Sequence, residues 1–555
     1  MNRQSRKLTS IVVAMLMLGA ALSQAQCVSP EWATLAAQEA LAGAQFGYSV
    51  AVHGNTAVVG AREEGSGQGC AYVFEFDGVA MQQVARLTAS DGGMGDKFGT
   101  TVGVFEGTVV IGAPQPFPVE QPGRVYVFEM PAGGWADMIE TAVLTAGDGA
   151  PNDNFGAALD LDRESVVIGA YLADGASDNS GAAYVFDQPS GGWASVTETA
   201  KLTAGDAALN DQFGISVAVA GDIIAVGADR DSDNAYQAGA AYVFEKPSGG
   251  WADALETAKL TANDPVDLDR FGLSVGVGEG FVVAGAWGDD RFAEKAGVVH
   301  VFERPTGGWA DMAATAELST GDAAAGDHLG WTVDADGDVI LAGAPANLFD
   351  GSGFGAAYLY LKPAGGWTDA VENAQLASYG MVADDEFGTA VALGGPVAMV
   401  GARYVASDGY SNAGASYIFG GAVDCNANAA LDLCEILDGS GVDANGNGIL
   451  DECEGVVDAP LAPVPLMLTQ NHPNPFNPST EIRYSVSTAG SGSLRIFDLQ
   501  GRIVRTLVHG DFSRGEGAVT WHGRDDSGRS VGSGVYVYRL TVSGQSQERR
   551  MVLLK

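Results

Sequence analysis

Phe213-Gly-Ile-Ser-Val-Ala-Val-Ala-Gly-Asp-Ile-Ile-Ala-Val-Gly-Ala228 decides the fold. Gly214 to Val219 alternates and reads as a strand. Gly221-Asp222 makes a tight turn, and Ile223 to Ala228 is a second, wholly apolar strand of the kind covered on both faces. Further on, Ala240-Ala-Tyr-Val-Phe244 reads as a third strand. A turn at Pro247-Ser-Gly-Gly-Trp251 separates it from a fourth, Thr257 to Ala262. Four short antiparallel strands without a long helical pattern make one propeller blade.

The unit recurs. Phe-Gly pairs start at Phe46, Phe98, Phe155, Phe213, Phe271 and Phe387, with Leu329 replacing Phe once. Gly-Ala pairs follow at one fixed distance from them, at Gly60, Gly112, Gly169, Gly227, Gly285, Gly343 and Gly401. Seven copies at a nearly constant interval are a repeat architecture. The Gly-Ala pairs are expected where strands crowd toward the axis, and the recurring Phe and Tyr to pack between blades. A fourth-strand Leu also keeps a fixed distance ahead of each following Phe-Gly (or Leu-Gly), at Leu87, Leu144, Leu202, Leu260, Leu318 and Leu376. Blade seven ends at Ile418-Phe419 without one, and Leu35, at that same distance before Phe46, supplies it from the other end of the chain. The spacing therefore predicts an all-β, seven-bladed propeller closed by the N-terminal strand, which leaves no exposed edge.

These units resemble FG-GAP repeats, the blades of the integrin-α-type propeller, over about 26–420. The resemblance implies an extracellular binding or adhesion protein and, in many members, calcium held by Asp-rich turns between the first two strands. Here only Asp334, Asp336 and Asp338 match such a turn, with Asp160 and Asp162 as a weaker echo. Candidate ligand contacts lie on the loops after the second and fourth strands: Asp229, Asp231, Asp233, Tyr236, Trp287, Asp289, Asp290, Arg403 and Tyr404. The fourth-strand loops also carry paired acids, such as Asp148 with Asp153 and Asp206 with Asp211.

Residues 421–455 form an insert with a second repeated pattern. Asp424, Asn426, Asn428, Asp432 and Glu435 fall at positions 1, 3, 5, 9 and 12 of one window. Asp443, Asn445, Asn447, Asp451 and Glu454 repeat that spacing. Hard oxygen ligands so spaced, ending in a carboxylate, suit Ca²⁺, and two ions are expected. The loops resemble those of dockerin and thrombospondin type 3 repeats, although Ala429 stands where such loops have Gly.

Residues 1–25 read as a cleaved signal peptide: Arg3, Arg6 and Lys7, then an apolar run and Ser23-Gln24-Ala25. No later segment is apolar enough to span a membrane, so a secreted or cell-surface location is expected. Five cysteines then suggest disulfides. Placing Leu35 opposite Ile418, as Leu260 opposite Val243, brings Cys27 near Cys425. The expected pairs are Cys27–Cys425 and Cys434–Cys453, with Cys70 free and Cys425–Cys434 as the rival pairing.

Residues 456–465 are a Pro/Ala linker, and 466–555 read as a β-sandwich with strands at 481–486, 493–499, 518–521, 534–542 and 549–554. Asn471-His-Pro-Asn-Pro-Phe476, Ile496-Phe-Asp498, Gly501-Arg502, Gly534-Val-Tyr536 and Arg550-Met-Val-Leu-Leu-Lys555 carry a resemblance. It is to the Ig-like domain of flagellar hook-capping proteins and to type IX secretion sorting domains, and it implies the secretion machinery as a partner.

Net charge is −40. The stretch 466–555 holds 11 Lys+Arg and 7 Asp+Glu, a balance of +4; the remainder, with 18 basic and 62 acidic residues, carries −44. That balance argues against nucleic acid as a partner. The six histidines show no metal-binding spacing, and no nucleophile elbow is present. The leading function is non-enzymatic recognition of an extracellular protein or glycan. A polysaccharide-active enzyme with clustered, raised carboxylates, or a passive surface component, are the alternatives.

Overall fold

The computed structural model describes residues 27–553 apart from 39–40, 78–79, 116–120, 346–352, 354, 379–381, 383–384, 407–410, 427, 429, 439, 444–449, 451–466, 469–470, 472–475, 487–489, 498–501, 513–514 and 543–544. The signal-peptide and linker readings lie outside the described residues. The chain divides into two compact units, one reaching from the N-terminus to Val442 and one holding most of the rest.

The first unit is seven sheets, each pairing its strands in the order first, second, third, fourth. In blade 4 these are Ser216–Ala220, Ile223–Ala228, Ala240–Glu245 and Ala258–Thr261, close to the sequence reading. Blade 7 takes Phe387–Gly394, Val397–Ala402 and Ala415–Gly420, and its fourth strand is Ala33–Leu35. Ring closure is thus as expected, but the register is not. Leu35 pairs with Ser416, and Leu260 with Ala241, both two positions from those inferred.

First strands pack one against the next around the ring, including blade 7 against blade 1. They line an open axial cavity of about 1010 Å³. On the outer edge, the fourth strand of one blade is joined in parallel by a short segment of the next. Leu202 pairs with Ala254, Leu260 with Met312 and Leu318 with Ala370. Cys27–Pro30 repeats this tie across the closure, pairing with Ala374–Ala377 of blade 6.

The two repeated glycines serve different ends. Residues such as Gln45-Phe46-Gly47-Tyr48 form a turn in which the Tyr48 N–H donates to the Gln45 carbonyl. Gly47 has φ 86°, the third-position conformation that a type II turn reserves for glycine. The Gly-Ala glycine instead permits close approach. A Cβ on Gly60 would lie 2.2 Å from the Gly99 carbonyl oxygen of the next blade. The crowding is therefore between neighbouring blades, not toward the axis. Each Phe of a Phe-Gly pair packs against the rings of the third strand, as Phe213 does edge-on against Tyr242 and Phe244. With Trp251 these rings fill the space against Val185 and Leu202 of blade 3.

The second unit is a β-sandwich. One sheet holds Met467–Leu468, Thr480–Val486 and Gly515–Trp521, and the other Ile503–Phe512, Gly490–Phe497, Gly534–Val542 and Gln545–Leu553. Ile503–Phe512 is a strand the sequence reading lacked. Register shifts against Gly490–Phe497 break its period-two pattern. Asn471 and Phe476 are buried anchors. The Asn471 N–H donates to Tyr538 Oη, and Phe476 packs on Trp521.

Candidate functional site

The loops after the second strands and those leading into the next first strands open on one face and interlock. The Leu268, Arg270 and Phe271 N–H groups donate to the Tyr236, Gln237 and Ala238 carbonyls. The same ladder closes the ring, where Gln45 and Phe46 donate to Asn412 and Ala413. Such loops present side chains from a rigid frame.

Most of the paired acids are consumed by this frame. The first acid accepts from the third-strand Tyr of the following blade: Tyr126 Oη to Asp91 at 2.8 Å, Tyr184 to Asp148 at 2.8 Å and Tyr242 to Asp206 at 2.9 Å. The second acid accepts a nearby backbone N–H of its own turn, as Asp211 does from Ala208 at 2.7 Å and Asp269 from Val266 at 2.6 Å. Burial, and behind it neighbouring acids, push Asp211 and Asp269 up to about 6. They stand one per blade and do not converge in one pocket.

Among the described residues, blade 4 holds the densest cluster of acids. Asp206, Asp231 and Asp233 come together around the Lys259 ammonium, at 2.6, 2.8 and 2.8 Å. Burial opposes the charge on Lys259, but the three carboxylates hold its pKa above the usual range. Asp229, also buried, pairs with Arg270 at 3.2 Å; burial raises its carboxyl while Arg270 and Arg230 pull it down. Tyr236 projects outward, 61% exposed.

In blade 5, Trp287 packs against His328 (4.9 Å) and Trp331 (5.4 Å). Asp289 is buried beside Arg291, and Asp290 accepts the Lys295 N–H. In blade 7, Arg403 pairs with Glu386 at 2.6 Å and lies over the rings of Tyr404 and Tyr48. The Arg62 guanidinium lies 3.6 Å from the centre of the Tyr48 ring. The structure thus splits the nine loop-face candidates into three local groups, in blades 4, 5 and 7.

Sequence reading missed Tyr48, Arg62, His328 and Trp331 as members of these groups. Each directly flanks a Phe-Gly (or Leu-Gly) or Gly-Ala pair, and these flanks vary while the pairs repeat. The residue before each Phe-Gly is also left-handed in every blade: Gln45, Lys97, Asn154, Gln212, Arg270, His328 and Glu386 have φ between 55° and 61°.

Asp334 and Asp336 are placed differently from a calcium turn. They lie on the innermost strand of blade 6, and their Oδ2 atoms accept the Leu393 and Gly395 N–H groups of blade 7. Asp160 and Asp162 tie blade 3 to Val219 and Gly221 of blade 4 in the same way. Asp338 sits near Lys362 at 3.7 Å. The Asp160 and Asp334 carboxyls line the axial cavity, where desolvation pushes both up to about 7. All four of their oxygens accept backbone N–H bonds.

The first insert loop does converge. Asp424 Oδ1 and Asn426 Oδ1 both accept the Asn428 N–H, and Asn428 Oδ1 accepts from Ala430. The Glu435 carboxylate lies 2.7 Å from Asn428 Nδ2 and 3.3 Å from Asn426 Nδ2. Positions 1, 3, 5 and 12 are thus joined by hydrogen bonds, with both amide nitrogens toward Glu435 and the Asp424, Asn426 and Asn428 oxygens on backbone N–H groups; two carboxylates and two amides are the donor types that Ca²⁺ takes. Asp432, at position 9, accepts the Cys425 N–H. In the second loop Asp443 is buried, while Asn445, Asn447, Asp451 and Glu454 lie outside the described residues.

The disulfide expectation needs correction. Cys27 bonds Cys434, not Cys425, with Cα atoms 5.6 Å apart. Cys434 is therefore unavailable to Cys453 or Cys425. Cys425 is itself disulfide-bonded, Cys453 lies outside the described residues, and Cys70 is free and buried as expected. The chain turns at Gly421 (φ 71°) and folds back, so a straight extension of the third strand points the wrong cysteine at Cys27.

Among the described residues, no helix is long and apolar enough to cross a membrane. No curated protein matches the chain. A crystal structure of FlgD from P. aeruginosa is similar at 18% identity, over 13% of this chain and 58% of that one, with a TM-score of 0.12. Residues 479–548 match the FlgD Ig-like domain model. The FG-GAP repeat model matches seven times, over 30–74, 81–128, 138–186, 196–244, 255–302, 313–360 and 371–419. Each match begins at or just before a fourth strand and ends in the third strand of the following blade, the phase in which Ala33–Leu35 closes the ring. With more than half of its length so matched, the chain belongs to the FG-GAP repeat family.

Proposed function

We propose that this is a secreted or cell-surface recognition protein whose propeller loop face binds an extracellular protein. One observation carries the reading: most of the large apolar side chains that the propeller leaves in solvent stand on that face, with Met130, Ile139, Leu255 and Val371 elsewhere. Leu41, Met94, Leu209, Tyr236, Leu268 and Phe292 all stand on its interlocked loops, with Met94 76% and Leu209 63% exposed. Isolated exposed apolar residues are ordinary, but their concentration on one rigid face marks an interaction surface. The aromatic and arginine groups at Tyr48, Arg403 and Trp287 add the residue types that interfaces favour. Apolar rims suit a protein better than a glycan, which is the alternative ligand of this same face.

Asp211 and Asp269, the loop-face carboxyls raised to about 6, each accept an N–H of their own turn, and Asp229 is paired with Arg270, which supports a non-enzymatic role. The insert is assigned to Ca²⁺, with Asp424, Asn426, Asn428 and Glu435 as side-chain ligands of the first loop and Asp432 beside them. The C-terminal sandwich is assigned to secretion or surface attachment through type IX-like sorting machinery. Export of a chain lacking 466–555 tests that assignment, and unchanged export rejects it.

The test of recognition uses the full chain on arrays of extracellular-matrix proteins and of glycans. Tyr236→Ser and Phe292→Ser variants run beside it. A protein ligand whose binding both variants weaken supports the reading. Binding confined to glycans, or insensitive to both variants, refutes it.

A further inference from the structure

The calcium-type loop does not dangle from the propeller; it is built into the seam where the ring closes. Ala422, Leu431 and Leu433 are buried among Leu341, Leu376, Phe387 and Phe419 of blades 6 and 7. The Leu433 N–H donates to the Gly421 carbonyl and that of Asp432 to Val423, so the loop folds back on the strand it leaves. Cys434, the next residue, bonds Cys27 on the N-terminal segment that ties blade 6 to the closure. Glu435, next again, reaches back to Asn426 and Asn428. The consecutive residues Leu431 to Glu435 thus join the loop centre, the core of blades 6 and 7, and the N-terminal strand.

The seam is also where the ring lacks the chain connection that links third to fourth strand in every other blade. Ala33–Leu35 is held to the third strand of blade 7 by pairing at Ile418, Tyr417 and Ser416, and no turn joins the two. Whatever orders residues 424–435 therefore orders the clamp on the closing strand.

We propose that Ca²⁺ bound by the 424–435 loop sets how firmly the propeller ring is closed, by fixing the helix Asp432–Asp438 against Cys27 and the closing strand. This rests on the calcium assignment above. Occupied, the loop holds Leu431, Leu433 and Cys434 in place. Emptied, the helix loosens and the seam opens locally while the interior blades stay closed. Local opening of this kind is a sub-global event, separable from global unfolding.

Hydrogen exchange on the full oxidised chain tests it, with calcium and with EGTA, alongside calorimetric titration of Ca²⁺. The expected result is calcium binding together with about tenfold faster exchange at 27–37 and 415–435 in EGTA, and no change at 216–228. Asp424→Ser, which lies away from the buried seam contacts, should show the EGTA pattern even in calcium. Glu435→Gln should do so less completely. Measured calcium binding with unchanged exchange at 27–37 overturns the seam proposal and leaves the calcium assignment standing. No binding heat and no exchange difference overturns both. Equal acceleration at 216–228 also overturns it, because calcium would then stabilise the whole ring rather than its closure.

Discussion

Gly401 of the last blade lies beneath the Gly47 carbonyl oxygen of the first, so close that a Cβ on Gly401 would sit 2.2 Å from that oxygen. This is the same contact that Gly227 makes with Gly272 inside the ring. The closure is thus packed like any other blade boundary, although the two blades it joins stand at opposite ends of the repeat array.

Gly401→Ala should cost about 1–3 kcal/mol, the usual range for overpacking a tight contact. Gly249→Ala, at a position with open space around it, should change stability by less than about 0.5 kcal/mol. Denaturant unfolding of the two variants checks this. Similar midpoints would mean that the blades separate easily enough to absorb a methyl group.

His300 stands where blades 2, 3, 4 and 6 have a Tyr that bonds the preceding loop acid. It is fully buried, packs on Phe271, and its ring nitrogens lack hydrogen-bond partners; burial lowers its pKa to about 4. His300→Tyr places a hydroxyl within reach of Asp264, which precedes it by the same interval as Asp206 precedes Tyr242. A gain of about 1 kcal/mol is expected, the usual net value of a hydrogen bond. It should vanish when Asp264→Ala is combined with it. A gain that survives the second substitution would assign the effect to packing alone.

Asp160 and Asp334 give the propeller a pH dependence of definite sign. Both are pushed from 3.8 up to about 7 in the folded chain. Between those values the folded state binds more protons than the unfolded one, so stability falls as pH rises. Their contribution is complete below about pH 4 and lost as pH passes through about 7. The Asp160→Asn/Asp334→Asn double variant should lack this component. Its melting temperature, relative to the parent, should improve from about pH 5 to about pH 8. A constant difference across that range would place both carboxyls at their ordinary values.

Lys259 is the cation of a three-carboxylate cluster and is itself largely buried. Lys259→Met leaves Asp231 charged, buried and without its ammonium partner. A loss of about 3–5 kcal/mol is expected, as for other broken buried pairs. Adding Asp231→Asn should recover part of it. Thermal denaturation of the single and double variants measures both effects.

Much of the fold was legible because the constraints that make a blade are local. Phe46-Gly47 and Gly60-Ala61 mark a turn and a close approach whose geometry each repeat must reproduce, so their spacing survives as sequence. The closing role of Leu35 followed from the same spacing. The register of Leu35 did not, because antiparallel strands slip by two positions without moving any side chain to the other face. The strand Ile503–Phe512 was hidden by the register shifts against its partner, which remove the alternation that reveals a strand.

The site was less legible. Counting acids on the loops could not separate Asp148, taken up by Tyr184 and Lys201, from a carboxylate open to a ligand. Asp334-Ala-Asp336 has the look of a cation turn, yet its oxygens serve the free strand edge of the next blade. Asp334 and Asp336 meet that edge only where blade 7 stands beside blade 6 in the ring.

By itself the sequence determined the number of blades, their strand order, the phase of closure and the spacing of the insert loop, since each depends on contacts within one repeat or between adjacent repeats. The tertiary structure alone decided what depends on chain segments far apart. It paired Cys27 with Cys434 from opposite ends of the propeller, set Arg62 and Arg403 over Tyr48, and gathered three carboxylates around Lys259. Such pairings arise from the curvature of the whole ring and from a turn at Gly421, and no periodicity in the chain encodes either.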